Sequence, residues 1–229
     1  MFSTFRMTSV FLGGLALMIF SCNQQALEMD ITGEIIRPHT YLIPRADQPI
    51  VIDGRQNDPS WEKAPFTKDF IDIEGQKTPD QKTRLKMLWD EEFLYIYAHL
   101  EEKHIWATLK NRDTIIFYNN DFEVFISPSN SNHNYGEIEI NALNTVWDLL
   151  LDRPYNSKGN PIFNWNIQNL KSAVHIEGTL NDPSDVDEYW SVEMAIPIKA
   201  LTELKRSPKG KPKIGEQWRI NFSRVQWQH

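Results

Sequence analysis

The sequence predicts an all-β fold: a single antiparallel β-sandwich of the jelly-roll or immunoglobulin-like type, with one or two short helical turns. Apolar and polar residues alternate with a period of two along most of the chain, as in the stretch 83–100. Turn-rich segments such as 127–130 and 181–184 separate these stretches at intervals typical of a sandwich. Helical periodicity is scarce, and neither an internal repeat nor a long linker is visible in the sequence.

The N-terminus is predicted to be a targeting signal. Residues 1–22 contain one charge, Arg6, followed by the apolar run 10–20, which is shorter than the roughly 20 residues that span a bilayer. The run ends at Ser21-Cys22, which resembles a bacterial lipobox with Cys22 as the lipid-modified residue. An ordinary signal peptide with an incidental cysteine is the alternative. We expect residues 23–43 to form a tether and a first strand, and residues 44–229 to form the sandwich domain.

Two short segments have helical character. One surrounds Pro59 to Lys63, and the other is Pro197 to Lys205, where Ile198, Leu201 and Leu204 are spaced by three residues. The remaining segments alternate and are predicted to be strands. They are Thr83 to Trp89, Phe93 to Leu100, Asp121 to Ile126, Gly136 to Asn141, Thr145 to Leu151, Lys171 to Glu177, Tyr189 to Ile196 and Gln217 to Trp227, with about ten strands expected in total.

Composition excludes several classes of protein. The chain of 229 residues has 24 basic and 31 acidic residues, a net charge of −7, and a single cysteine, so it is not a disulfide-stapled scaffold. Nucleic acid is not an expected partner, because its phosphates require a basic stripe and the one dense basic run is interrupted by proline and glycine. Gly-rich phosphate loops, Cys-x-x-Cys, His-Glu-x-x-His and Gly-x-Ser-x-Gly are all missing from the sequence. Catalytic activity is therefore not expected.

Four segments, in order, carry a family resemblance. They are Ile52-Asp53-Gly54 with Asp58-Pro59-Ser60-Trp61, then Leu88-Trp89-Asp90 through Tyr95, then Asn120-Asp121 through Ile126, and finally Val192 through Pro197 with Trp218 through Arg224. Together they resemble the family 9 carbohydrate-binding modules, which are β-sandwiches. The resemblance implies non-catalytic binding of a glucan- or xylan-type sugar. Together with the lipobox at Cys22, it predicts a lipid-anchored protein of the bacterial cell envelope, with the outer membrane as the expected location. It also implies a role in polysaccharide capture or degradation beside a glycoside hydrolase.

The resemblance also implies a binding site made of aromatic rings and polar side chains. Aromatic faces pack on sugar C–H groups, and amides, carboxylates or guanidinium groups bind the hydroxyls. We expect Tyr118, Glu123, Glu139, Asn141 and Arg224 to share one face or rim, with Arg224 neutralising the two glutamates. The full set of expected sugar contacts is Phe117, Tyr118, Glu123, Glu139, Asn141, Trp165, Arg224 and Trp227.

The sequence departs from the family pattern at two places. Known sugar-binding members carry an arginine where this chain has Glu139 and a glutamine near Ser223, which leaves the identity of the sugar open. In the family the strand near Trp227 is followed by an opposing aromatic residue and a closing strand, so we expect the sequence to be truncated after His229, with an unpaired strand edge.

Several residues have competing interpretations. Trp61, Trp89 and Trp147 are expected in the core, whereas Trp165 fits an exposed platform and a buried loop anchor equally well. Glu137, Glu139 and Asn141 share a strand face that is either solvated or the floor of a sugar site. No cofactor is expected beyond a structural calcium, for which the loop carboxylates Asp182, Asp185 and Asp187 are the candidates and a charged loop without an ion is the alternative.

Two further functions remain as alternatives. A glycoside hydrolase, or a module attached to one, would use two carboxylates such as Glu123 and Glu139 across a glycosidic bond. A haem-binding sandwich would draw its ligands from Met87, Met194, His99 and His104.

Overall fold

The structure is a computed structural model that describes residues 38–75, 77–205 and 210–228. The chain divides into two compact units, Met1–Tyr41 and Leu42–His229. The described part of the first unit, residues 38–41, contains neither helix nor strand. No helix among the described residues is long and apolar enough to cross a membrane. The signal segment with Cys22 lies outside the described residues.

Two antiparallel sheets form the second unit, as predicted. The four-stranded sheet has the order β1-β2-β8-β7, and the five-stranded sheet has the order β6-β5-β4-β3-β9. Their bounds are Thr83–Trp89 for β1, Phe93–Glu101 for β2, Asp121–Ser127 for β3, Tyr135–Asn141 for β4, Val146–Leu151 for β5, Pro161–Ile162 for β6, Lys171–Glu177 for β7, Tyr189–Pro197 for β8 and Arg219–Val225 for β9.

The predicted first strand differs from the structure. Within residues 38–43 no strand is formed, and the first pairing along the unit is a single parallel bridge between Arg45 and Trp89. Backbone hydrogen bonds from Ala46 to Trp89 and from Trp89 to Pro44 make this bridge. The remainder of the predicted strand, residues 23–37, lies outside the described residues.

Among the described residues, helix is limited to single 3-10 turns and one short α-helix. The two expected pieces are present as a 3-10 turn, η1 (Pro59–Lys63), and a helix, α1 (Ile198–Glu203). Two further 3-10 turns, η2 (Ile116–Tyr118) and η3 (Tyr155–Ser157), lie in loops where three-residue turns leave no periodic sequence signal.

The core lies between the inner faces of the two sheets. Because side chains alternate along a strand, Phe122, Val124 and Ile126 point inward from β3 and are fully buried. Leu85 on β1 and Ile96 on β2 are buried in the same way on the opposite sheet. Alternation therefore leaves the residues between them for the two outer faces of the sandwich.

A second apolar layer covers the outer face of the four-stranded sheet. Trp61, on η1, packs with Tyr95 and Tyr97 and is fully buried, as expected for this tryptophan. Its indole N–H donates to Glu193 on β8, at 3.0 Å. Gly54 lies directly on β7, since a Cβ at this position would stand 2.6 Å from the backbone nitrogen of His175. The segment from Arg45 to Thr67 is thereby held against this sheet.

Candidate functional site

Four buried carboxylates lie on the outer face of the five-stranded sheet. Asp121 and Glu123 are on β3, and Glu137 and Glu139 are on β4, where they alternate with the inward apolar residues. Glu123 and Glu139 are direct cross-strand partners. The four residues are 0%, 8%, 3% and 1% exposed, respectively. The floor of a candidate site is thus acidic and largely shielded from water.

The loop between β2 and β3 shields this floor. Leu109 and Ile116 of the loop pack on the apolar outer face of β5, which consists of Trp147, Leu149 and Leu151. The loop also makes a polar contact, because the backbone N–H of Phe117 donates to Glu139 at 3.1 Å. A second loop contributes Tyr155, whose hydroxyl donates to Glu137 at 2.9 Å.

Burial makes these carboxyl groups unusually basic. Loss of water and repulsion from neighbouring carboxylates raise the pKa of Glu139 to about 8, and burial raises the pKa of Glu137 to about 7. Burial also raises the pKa of Asp121 and Glu123, although a hydrogen bond from Ser223 opposes the rise at Glu123. A cluster of this kind can both accept and donate hydrogen bonds near neutral pH.

Aromatic side chains border the acidic floor. Phe117 contacts Tyr118 with ring centroids 5.0 Å apart, and Trp147 stacks on Phe163 at 5.7 Å. The indole N–H of Trp227 donates to the carbonyl of Phe117 at 2.9 Å. Tyr118, Phe163 and Trp227 are each more than half exposed, whereas Trp147 is buried beneath its neighbours as expected. Exposed rings and hydrogen-bonding groups therefore occur on one face.

Asn141 lies on the expected face but is fully engaged in structure. Its amide nitrogen donates to the carbonyl of Leu109 at 2.8 Å, and its oxygen accepts from the backbone of Leu143 and Thr145. The residue is 0% exposed. In this conformation Asn141 positions the loop that covers the site and does not face solvent.

Arg224 lies on the opposite face of the sheet, so the expectation that it neutralises Glu123 and Glu139 is wrong. Its partner on β3 is Phe122, an inward residue, whereas the partner of Glu123 is Ser223. The guanidinium group points between the sheets, where it pairs with Glu102 at 2.5 Å and donates to Thr83 at 3.0 Å. Among the described residues, no Lys, Arg or His forms an ion pair with any of the four carboxylates.

Trp165 serves as a loop anchor. A Cβ at Gly136 would stand 2.8 Å from the ring of Trp165, with Leu204 of the α1 terminus nearby. Gly136 belongs to the inward-facing series of β4, so the indole ring fills space that a larger residue would occupy. The half-buried ring of Trp165 therefore contacts the inward side of β4 and not the outer face that carries the aromatic border.

The expected calcium ligands do not form one ligand set. Asp187 accepts from the backbone of Thr179 and Ile105, at 2.6 and 2.7 Å. Asp182 accepts from Ser184, and Asp185 accepts from the hydroxyl of Thr179. These carboxylates organise the loop before β8. The described carboxylates that do converge on a metal-sized volume are Asp121, Glu123 and Glu139.

The geometry supports neither the hydrolase nor the haem alternative. Glu123 and Glu139 are direct partners on adjacent strands and project side by side from one sheet face, whereas the two carboxyl groups of a glycosidase stand on either side of the scissile bond. Met87 and Met194 are buried in the core between the sheets. His99 is on the other face of the same sheet, stacked against Tyr189 at 4.3 Å. Met87 and Met194 therefore cannot share one haem iron with His99.

Sequence reasoning missed several members of the site. Asp121 lies two residues before Glu123 on β3, so strand alternation alone is sufficient to place both side chains on the same outer face of the sheet. The burial of Glu137 depends on Tyr155, which is 18 residues away and has no local sequence signal. Phe163 follows the two-residue strand β6, whose pairing with β5 brings it to Trp147.

The family can be assigned from the sequence match. The family model for "Carbohydrate family 9 binding domain-like" proteins matches residues 52–222, which is more than half of the chain. The protein belongs to this family. No curated protein matches the sequence. The matched range contains β1 to β8, the first part of β9 and all four carboxylates of the acidic floor, so the predicted membership and sandwich fold are confirmed.

Solved structures have the same fold as this family 9 domain-like protein. A family 9 carbohydrate-binding module from Caldicellulosiruptor kristjanssonii, in complex with cellotriose, is 17% identical with a TM-score of 0.51, over 79% of this chain and 74% of that chain. The same kind of module with glucose is 15% identical with a TM-score of 0.50, over 79% and 75%. A "putative carbohydrate-binding protein" from Bacteroides uniformis ATCC 8492 is 15% identical with a TM-score of 0.58, over 80% and 81%.

Proposed function

We propose that this protein binds carbohydrate without catalysis, on the outer face of its five-stranded sheet. The observation that carries the proposal is the coincidence of exposed aromatic rings with hydrogen-bonding carboxyl groups on that face. Sugars present apolar C–H faces to rings and hydroxyl groups to polar side chains. Solved family 9 modules in complex with cellotriose and glucose support a glucan-type ligand, and a xylan-type ligand is the alternative.

The sugar position that fits best is above β3 and β9. Glu123 is the most exposed of the four carboxylates, and its cross-strand partner on β9 is Ser223. Asn221, two residues earlier on the same face, is exposed. Tyr118 and Trp227 flank this region through their shared contacts with Phe117. A ring bound here would meet hydroxyl, amide and carboxyl groups beneath it and aromatic groups at its side.

Calorimetry of the full chain tests the proposal. Glucose, cellotriose and xylotriose are titrated into wild type, Tyr118→Ala and Glu123→Gln, and we expect micromolar to millimolar affinity, since a small polar ligand buries little apolar area. Each substitution should weaken binding roughly fivefold or more, which corresponds to about 1 kcal/mol. Ile73→Ala and Glu177→Gln, on exposed residues elsewhere, serve as matched controls. Binding that neither site substitution weakens would place the sugar elsewhere.

We also propose that Cys22 carries a lipid that tethers the domain to the bacterial cell envelope, at the outer membrane. The short apolar run 10–20 and the position of the sole cysteine support this. Polysaccharide capture beside a glycoside hydrolase is the role that such tethered binding would serve. Labelled fatty acid should be incorporated into wild type and not into Cys22→Ala. Equal labelling of both proteins would refute the anchor.

A further inference from the structure

Asp121, at the start of β3, has a buried oxygen atom without a partner. The residue is 0% exposed, and its Oδ1 accepts a hydrogen bond from the backbone of Val225 at 3.2 Å. Its Oδ2 is buried and has no hydrogen-bond partner among the described residues. An unsatisfied buried polar atom costs about 1–3 kcal/mol, and more when it is charged. The position of this oxygen therefore requires an explanation.

Two further carboxylates approach Asp121. Strand register places Glu123 two residues along β3 on the same face, and Glu139 directly across from Glu123 on β4. One oxygen from each of the three carboxylates lies within 4.8 Å of the others. Arg224 is paired with Glu102 between the sheets, and no described ion pair neutralises the three groups. Three carboxylates this close repel one another unless protons or a cation lie between them.

We propose that Asp121, Glu123 and Glu139 bind a divalent cation of the calcium type. Ca²⁺ takes six to eight oxygen ligands at 2.3–2.6 Å, so oxygens on opposite sides of the ion stand about 4.6–5.2 Å apart. Three oxygens within 4.8 Å of one another lie at most about 2.8 Å from a common centre, so side-chain shifts of a few tenths of an ångström bring all three into contact with one Ca²⁺. The ion supplies the partner that Asp121 Oδ2 lacks and compensates the three negative charges.

Rigid strands suit this site. The three carboxylates project from two hydrogen-bonded strands of one sheet, and Glu139 is held in place by the backbone of Phe117. Water fills the remaining coordination positions on the side of β9, where Ser223 is half-buried and Asn221 is exposed. This site differs from the loop carboxylates 182, 185 and 187, whose oxygens are used in loop hydrogen bonds.

Calcium titration of the full chain tests the proposal. The protein is first stripped with EGTA and then titrated with CaCl₂ by calorimetry, together with Asp121→Asn, Glu123→Gln and the exposed loop control Asp185→Asn. We expect one ion per chain in wild type and in the control, with affinity reduced roughly tenfold or more in both site variants, because each loses a ligand charge. Ca²⁺ should also raise the Tm of wild type and of Asp185→Asn.

Folding is monitored separately by circular dichroism of each variant in EGTA. If Asp121→Asn does not fold, Glu123→Gln, at a slightly more exposed position, decides the question alone. If wild type shows neither a heat of Ca²⁺ binding nor a Ca²⁺-dependent rise in Tm, the proposal is overturned. Protons shared between the carboxylates would then account for their close approach. Unchanged affinity in the folded site variants would also overturn the proposal. Sugar titrations in EGTA are a separate measurement, so failure of the calcium site and failure of the sugar site can be distinguished.

Discussion

The indole N–H of Trp227 donates a 2.9 Å hydrogen bond to the backbone carbonyl of Phe117, which lies 110 residues earlier in the chain. The backbone N–H of Trp227 also donates to Asn120 at 2.7 Å. The segment after β9 is thus tied to the loop that carries Phe117 and Tyr118. Trp227 remains half exposed, so one residue both holds the aromatic border and forms part of it.

Two substitutions of Trp227 should separate the contribution of its ring to sugar binding from that of its N–H donor. Trp227→Phe keeps a ring and loses the N–H donor, whereas Trp227→Ala loses both. We expect Trp227→Ala to weaken binding by about 1 kcal/mol or more, roughly fivefold, and Trp227→Phe by less. Calorimetry with cellotriose is the measurement, and Ile214→Ala, 91% exposed in wild type, is the control. Wild-type affinity in Trp227→Ala would remove this residue from the site.

Glu102 and Arg224 should matter for stability and not for sugar affinity. Their side chains are 3% and 6% exposed, and they pair between the sheets away from the acidic face. Removing one partner leaves a buried charge uncompensated, so Glu102→Gln or Arg224→Met should lower the free energy of unfolding by about 3–5 kcal/mol. The double variant should lose less than the sum of the two. Urea denaturation measures these values.

The sugar affinity of these variants separates two interpretations of Arg224. A folded Arg224→Met protein should bind cellotriose as wild type does, because the guanidinium group points away from the site. Loss of binding with intact folding would show that Arg224 contributes to the site after all. Glu102→Gln then serves as the matched control, since it disturbs the same pair from the other side.

Truncation of Trp61 should lower the free energy of unfolding more than truncation of most other residues. Trp61 is fully buried against Tyr97 and donates to Glu193. Trp61→Ala creates a cavity and should lower the free energy of unfolding by about 3–5 kcal/mol. Trp61→Phe loses the donor and less volume, and should cost about 1–3 kcal/mol. Denaturation curves should show a change within about 0.5 kcal/mol for the control Ile73→Ala, at a site 99% exposed.

Glu193 should make stability depend on pH. Burial raises its pKa from an ordinary 4.5 to about 7, despite hydrogen bonds from Asp53, Gly54 and Trp61. The folded state therefore binds more protons than the unfolded state between these values, so the free energy of unfolding falls as pH rises from 4.5 to 7. Above that window the contribution is constant.

Glu193→Gln isolates this contribution. Its free energy of unfolding should fall less steeply than that of wild type across the same window, whereas Glu177→Gln, an exposed change on the neighbouring strand β7, should keep the wild-type slope. Denaturation at several pH values measures both slopes. Identical slopes in Glu193→Gln and wild type would show that Glu193 titrates with the same pKa in both states.

The local sequence pattern of apolar and polar residues was sufficient to predict most of the strands of the fold. Segments such as Thr83–Trp89 and Lys171–Glu177 form strands with the expected bounds. Strand β6 was missed because two residues, Pro161 and Ile162, show no alternation. Alternation also indicated that the side chain of Arg224 lies on the same face of β9 as those of Ile220 and Phe222. Its partner Glu102 is 122 residues away, so the local sequence could not predict this ion pair.

The site was harder to predict because burial depends on distant loops. Glu123 and Glu139 were expected together, and the register pairs them. The sequence allowed Glu137 to be either solvated or part of the floor of a sugar site. In the structure, the hydrogen bond from Tyr155 and the packing of the η2 loop on the same face accompany its burial. Trp165 was ambiguous for the same reason, since its contact with Gly136 joins residues 29 positions apart.

Asn141 has a consequence for the thermodynamics of binding. Its single amide joins the end of β4 to Leu109 and to Thr145, so the loop bearing the aromatic residues is ordered before any ligand arrives. The conformational entropy of that loop is lost on folding and need not be lost again on association. The surface is therefore preorganised, and the entropy change on ligand association reflects released water and the ligand's own lost motion more than ordering of the protein.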